Sequence, residues 1–357
     1  MAACQSVRSD ARLARLMPVP AQVLPTHTRE LFDAAVREAV WRLRAGQVVA
    51  LPTETVYGLA ANALDPAAVA AIFAAKGRPA HNPVIVHVAG LPLARACVDA
   101  WPAVAERLAE AFWPGPLTLV LPKASTIPPV VTAGGTTVGV RWPSHPLMQA
   151  VIRQCGFPLA APSANPANEL SPTTAGHVLR TLGDRIPLIV DAGPCRVGIE
   201  STVIDLSVTP PRVLRPGMVG RAALESVIGA VREGANEDAP ADRLRSPGQL
   251  PRHYAPRARL VVTTWRDTAE FRAQLAVEKL SPMDCWALVH SVIPSADELA
   301  GVSVVPHDAE AYARALYAEL HQCDERGVRA VVVEAPPAGP EWDGIADRLR
   351  RASTPAA

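Results

Sequence analysis

The chain has 357 residues, 35 Lys plus Arg against 34 Asp plus Glu, a formal net charge of +1 and 49% hydrophobic residues. That composition argues against a disordered chain and against a protein living on bulk polyanion attraction. No run of ~18 apolar residues offers a membrane span, and the length accommodates about two domains.

Residues 1–25 carry Arg8, Arg12 and Arg15 but no apolar h-region, so they read as an N-terminal extension and not as a secretory signal. Over residues 30–45, Leu31, Ala34, Ala35, Ala39 and Leu43 recur at helical spacing, and Gly46 closes the helix. Residues 47–51 read as a buried strand. Residues 66–76 predict a second helix through Val69, Ile72 and Phe73, stopped by Gly77. Strand-like runs follow at 84–88, 117–121, 137–141, 188–191, 201–206 and 212–214. Helical stretches intervene near 104–111, 146–154 and 175–182. Strands and helices do not strictly alternate, which predicts an α/β domain with a mixed sheet. Residues 229–258 turn polar and then proline-rich and read as a linker. Beyond it, strands at 260–263, 285–290 and 328–334 alternate with helices at 268–280, 308–325 and 341–351, which predicts a small parallel α/β domain. The expected division is therefore an extension (1–25), a main domain (26–228), a linker (229–258) and a C-terminal domain (259–357).

The common nucleotide signatures are missing: there is no G-x-x-x-x-G-K-[ST] and no G-x-G-x-x-G after a strand. Six scattered cysteines include no C-x-x-C pair, which leaves zinc and redox readings unsupported and points to a reducing, cytoplasmic setting.

Several segments carry polar groups in apolar surroundings. In LPTETVYGL (51–59), extended chain would put Thr53, Thr55 and Tyr57 on one face; an ordinary β-strand is the simpler alternative. In AAKGRPAHNP (74–83), Lys76 and Arg78 either complement a helix C-terminus or form a cationic pair for phosphate oxygens. His87 lies in an apolar strand, where a core or pocket-wall histidine is the default. In APSANP (161–166), Ser163 and Asn165 would point the same way if extended, or close a local turn. Arg141, on a strand with Thr137, needs a carboxylate or phosphate partner. GIESTVIDL (198–206) opens a strand with Ser201, and VLRPG (213–217) ends one with Arg215. His253 and Tyr254 sit between prolines in SPGQLPRHYAP (246–256). Together these strand ends present donors and cations with no matching carboxylate cluster, as a triphosphate requires.

The set LPTETVYGL, K-G-R-P with HNP, S-A-N, G-x-x-S-T and R-P-G closely resembles the YrdC-like threonylcarbamoyl-AMP synthases, in their two-domain form. The resemblance implies a twisted mixed-sheet domain with a large, concave, positive cavity, followed by a smaller Rossmann-like α/β domain. It implies condensation of L-threonine, bicarbonate and ATP to L-threonylcarbamoyl-AMP and pyrophosphate, with Mg2+ accompanying ATP. The product would serve a downstream tRNA threonylcarbamoyl transferase complex, with weak RNA contact compatible and no membrane involved. Carried over by motif, Lys76, Arg78, Ser163 and Asn165 fall on the catalytic phosphate set. Arg78, Asn82, Thr137, Ser163, Ser171, Arg215 and Tyr254 fall on ATP contacts. Thr55, His87, Arg141, Ala161 and Ser201 fall on the threonine pocket, and no residue falls on a metal site. The 246–256 segment is expected to act as a lid. Gln249 and Asp347 depart from the family's usual Met and Asn. Two other readings compete: carbamoyl transfer in hydrogenase maturation, which should bring C-x-x-C zinc fingers, and an RNA-binding module, which should bring basic runs.

Overall fold

The structure, a computed structural model, describes residues 20–79, 81–234 and 253–354. Most of the segment expected to form a lid, and Gln249 with it, lies outside the described residues.

Local signals set the first elements. Thr28 caps the helix Arg29–Arg44 by accepting from the Leu31 amide at 3.2 Å. Asp65 caps Pro66–Lys76, whose proline is tolerated in the first turn and whose C-cap Gly77 is left-handed at φ +59°. The strands Leu117–Pro122, Thr137–Arg141, Leu188–Asp191, Thr202–Asp205 and Arg212–Arg215 fall within a residue or two of their expected places.

These strands belong to one eleven-stranded sheet. Its pairings mix both senses: Thr137–Arg141 runs antiparallel to Leu117–Pro122 but parallel to Val86–His87. The mixed sheet is as expected. Four of its strands were not: Gln22–Pro25, Gly58–Asn62, Leu159–Ala160 and Arg232–Glu233. Gln22–Pro25 pairs with Leu188–Asp191, so the sheet begins inside the stretch read as an extension. The helices Arg29–Arg44 and Pro146–Cys155 bury Val36, Leu43, Val151 and Ile152 over one face. Helices including Pro66–Lys76, Ala103–Phe112 and Ala175–Leu182 cover the other.

The four strands Arg259–Thr263, Ala330–Glu334, Cys285–Val289 and Gly301–Val304 make a second, wholly parallel sheet, in that order. The helices Ala309–Glu325 and Asp343–Ser353 pack on the face turned toward the first sheet. Their core is shared: Tyr312, Leu316, Tyr317 and Ile345 pack in one cluster with Val56, Leu170, Ile199 and Tyr254. Gly198 makes this approach possible. Its φ is +89°, and a Cβ there would stand 2.3 Å from the Ala313 carbonyl oxygen. Cys97, Cys155, Cys195, Cys285 and Cys323 are all buried and unpaired. Among the described residues no helix is long and apolar enough to cross a membrane.

Candidate active site

One cleft gathers the ends of separate strands at the border between the two sheets. It spans about 490 Å³ with the solvent at its mouth included, less than surface clefts of about 750, 970 and 1270 Å³ elsewhere. Its lining, and not its size, sets it apart. Arg78, Arg141 and Arg215 contribute three cations, and Thr55, Ser163 and Ser201 contribute hydroxyls. Glu200 is the carboxylate on the lining, and His87, Ala161 and Tyr254 complete the predicted residues found there.

Each arginine is anchored through three donors. Arg78 donates Nε to the Asn82 carbonyl at 3.1 Å and Nη2 to Asn82 Oδ1 and the Pro83 carbonyl, both at 2.7 Å. Arg141 donates to the Gly115 carbonyl (3.2 Å), Thr55 Oγ1 (2.9 Å) and Glu54 Oε1 (2.7 Å). Arg215 donates to the Ser201 carbonyl (3.0 Å), Ser201 Oγ (3.1 Å) and Tyr254 Oη (3.2 Å). A guanidinium has five N–H donors. Among the described residues two therefore remain on each arginine beyond these bonds, on side chains already fixed in place. Burial lowers the Arg78 pKa to about 10, which still leaves it charged at neutral pH.

The remaining predicted residues surround the cleft without lining it. Lys76 is buried beneath it, and its Nζ donates to the carbonyls of Ser163 and Asn165 and to Asn165 Oδ1. Burial, and next Arg78, push its pKa well below the ordinary lysine value. Asn165 does not point with Ser163: its Nδ2 donates to the Glu169 carbonyl at 2.8 Å, so of the two alternatives the segment takes the local turn and not extended chain. Asn82 holds Arg78. Ser171 donates to Glu200 Oε1 at 2.5 Å. Thr137 opens the strand that Arg141 closes, about 13 Å away at strand rise, and is half-buried beside Pro122.

LPTETVYGL also departs from expectation. Thr53 Oγ1 donates to the Val56 carbonyl at 2.6 Å and accepts from the Thr55 and Val56 amides, so residues 53–56 form a side-chain-closed turn. Thr53 and Thr55 consequently line the cleft, whereas Tyr57 Oη donates to the Gly193 carbonyl at 2.8 Å on another side. His87, aligned with Arg141 in the sheet, is held neutral by burial and then by that arginine, at about 3.

Sequence reasoning missed the acids. Glu54 pairs with Arg141 inside a buried bridge, and Glu200 pairs with Arg348 from the helix Asp343–Ser353. Both sit inside quoted motifs, and an arginine demanding a partner was the available signal for Glu54. Nothing local marks Arg348, which reaches Glu200 across 148 residues. Asp347, the departure from the family pattern, is buried and bridges Arg348, Arg350 and Arg351. His253 lies on the lining beside Tyr254, which takes a left-handed φ of +60°.

A mixed-sheet unit joined to a parallel-sheet unit, with an arginine-lined cleft at their border, defines the two-domain YrdC-like class. A family model described as Telomere recombination matches residues 42–217, and one described as Threonylcarbamoyl-AMP synthase, C-terminal domain, matches residues 219–354. The threonylcarbamoyl-AMP synthase of Pyrococcus abyssi is 42% identical over 325 residues, covering 89% of this chain and 94% of the relative. That of Bacillus subtilis is 46% identical over 231 residues, covering 64% and 67%. The solved structure of P. abyssi Sua5 complexed with L-threonine matches with a TM-score of 0.83 at 39% identity, over 93% of this chain and 96% of that one. The chain belongs to the threonylcarbamoyl-AMP synthase family.

Proposed function

We propose that the protein condenses L-threonine, bicarbonate and ATP to L-threonylcarbamoyl-AMP and pyrophosphate, supplying the adenylate for threonylcarbamoylation of tRNA. The observation that carries this reading is the trio Arg78, Arg141 and Arg215, each fixed by three bonds with two donors left among the described residues, around one cleft in a chain of this family. The catalytic unit is assigned to residues 26–228 together with the edge strands Gln22–Pro25 and Arg232–Glu233 that complete its sheet, the rest of 229–258 to the linker and 259–357 to the supporting domain.

Threonine's amine and bicarbonate give N-carboxy-threonine and water. Its carboxylate then attacks the α-phosphorus of ATP, and the bond to the pyrophosphate oxygen breaks. The nucleophile is already ionised, so positioning and charge stabilisation supply most of the catalysis. Arg78 and Arg215 meet the triphosphate and the charge growing on pyrophosphate, and Ser163 orients it. Lys76 fixes the Ser163–Asn165 turn and adds its charge beneath. Asn82, Asn165 and Ser171 act through the side chains they hold, and Tyr254 supports Arg215. Arg141 takes the threonine carboxylate, with Thr55, His87, Ala161 and Ser201 shaping the pocket. Thr137 is kept as an outlying nucleotide contact.

Mg2+ enters as part of the MgATP substrate. Among the described residues no group of three or more His, Cys, Asp or Glu could hold a metal, and Glu54 and Glu200 are each committed to an arginine. The phosphates and water are its natural ligands here. The downstream partner is a tRNA threonylcarbamoyl transferase complex, and the five buried, unpaired cysteines suit a cytoplasmic setting. A pyrophosphate-release assay omitting each substrate in turn tests the reading. Release that requires ATP, threonine and bicarbonate together is expected; release without threonine, or none with all three, refutes it.

A further inference from the structure

A nucleotide cleft has little use for an uncompensated carboxylate, yet Glu200 lies on this one's lining and is buried. Its compensation comes from the other sheet's helices. Arg348, itself 1% exposed, donates Nε to Glu200 Oε2 at 2.6 Å and Nη2 to the Glu200 carbonyl at 3.1 Å. Its Nη1 donates to the Pro216 carbonyl and to Asp347 Oδ2, both at 3.0 Å. Ser171 Oγ and Tyr317 Oη add donors to the same carboxylate. Burial alone would raise the Glu200 pKa; Arg348 and then Arg215 bring it below the ordinary range. The Arg348 guanidinium also lies 5.1 Å from the centroid of the Tyr254 ring, whose hydroxyl receives Arg215.

We propose that Arg348 is a positioning residue for the nucleotide: it neutralises Glu200 on the cleft wall and seats the Tyr254 ring that steadies Arg215. The inference rests on reading the cleft as the ATP site. It gives the C-terminal helix a defined task, setting the charge of a site built on the other sheet. Gly217 holds the chain at Glu200 against the Pro216–Gly217 turn that Arg348 also bonds. A Cβ there would stand 2.6 Å from the Thr202 amide nitrogen and 2.9 Å from the Glu200 carbonyl oxygen.

The test uses the full chain in the three-substrate pyrophosphate assay, with urea unfolding alongside. Arg348→Met keeps the bulk and removes the charge. It should raise KM for ATP about tenfold or more, each tenfold being about 1.4 kcal/mol, and change KM for threonine less than about threefold. Adding Glu200→Gln should return KM for ATP to within about threefold of the wild type, as should Arg348→Lys alone. Glu200→Gln by itself should leave KM for ATP unchanged or lower, which keeps the test decisive if Arg348→Met fails to fold. The inference is overturned if Arg348→Met leaves KM for ATP unaltered. It is equally overturned if both KM values rise together without rescue in the double variant, or if Glu200→Gln alone raises KM for ATP tenfold. An inactive wild type would instead overturn the reading of the cleft.

Discussion

Lys76 carries a prediction about protons. Three oxygens surround its Nζ, one for each ammonium proton, yet burial and then Arg78 depress its pKa far below the usual value, with Glu169 opposing. A polyanion arriving at Arg78 reverses the local field, so the bound state holds the proton more tightly than the free state does. Between the two pKa values binding takes up a proton, and affinity rises as pH falls through that window. The limit is one proton, or about tenfold in Kd per pH unit. His253 is depressed too, by burial first, but from an ordinary value of about 6.5, so its uptake falls in the acid range. Calorimetry of ATP binding in two buffers of different ionisation enthalpy, at about pH 7.5 where Arg78 stays charged, reads the uptake directly. Proton uptake is expected in the wild type and less of it in Lys76→Met. The same substitution strips the donor from the buried Asn165 carbonyl, at about 1–3 kcal/mol, and from the part-buried Ser163 carbonyl, so urea unfolding should show a loss of at least about 1–3 kcal/mol. Equal uptake in both proteins, or a loss under about 1 kcal/mol, refutes the reasoning.

Arg141→Met should raise KM for threonine more than KM for ATP and cost about 3–5 kcal/mol of stability, because Glu54 is left charged and buried; a larger effect on ATP contradicts the pocket assignment. Tyr254→Phe removes a partner of the charged Arg215, worth about 1.5–3 kcal/mol, and should weaken ATP binding about ten- to a hundredfold; unchanged calorimetric affinity contradicts it. His87, held at about 3 when folded, protonates near its ordinary value of about 6.5 when unfolded. The unfolded state therefore binds more protons below that value, and stability falls as pH falls, by up to about 1.4 kcal/mol per pH unit. His87→Gln should flatten the decline between about pH 6.5 and 5 by about 1–2 kcal/mol, and parallel urea curves for the two proteins would count against it.

The elements that announce themselves locally were legible. Helix Pro66–Lys76 was readable to the residue because a proline, an apolar stripe and a left-handed glycine all lie within it. The strand Leu159–Ala160 was not, because two residues carry no period and only neighbours on both sides make them a strand. The same distinction holds at the cleft. Arg78, Arg141 and Arg215 stand out as cations beside apolar strands. Tyr57 parts from Thr53 and Thr55 because Thr53 closes a turn over residues 53–56, and Asn165 parts from Ser163 because its amide bonds the Glu169 carbonyl; extended chain would have kept each set on one face. Arg348 was invisible because its meaning comes from a carboxylate on another sheet.

The five buried cysteines offer a last consequence. Burial raises Cys97 and Cys323 to about 12 and Cys155 and Cys285 to about 11, so these four present almost no thiolate at neutral pH. Alkylation must then wait for local opening. Cys97 and Cys155 belong to the larger sheet's layers, Cys285 and Cys323 to the smaller sheet's. Following each thiol by mass spectrometry would time the breathing of the two halves separately, with the natural sequence as its own reporter.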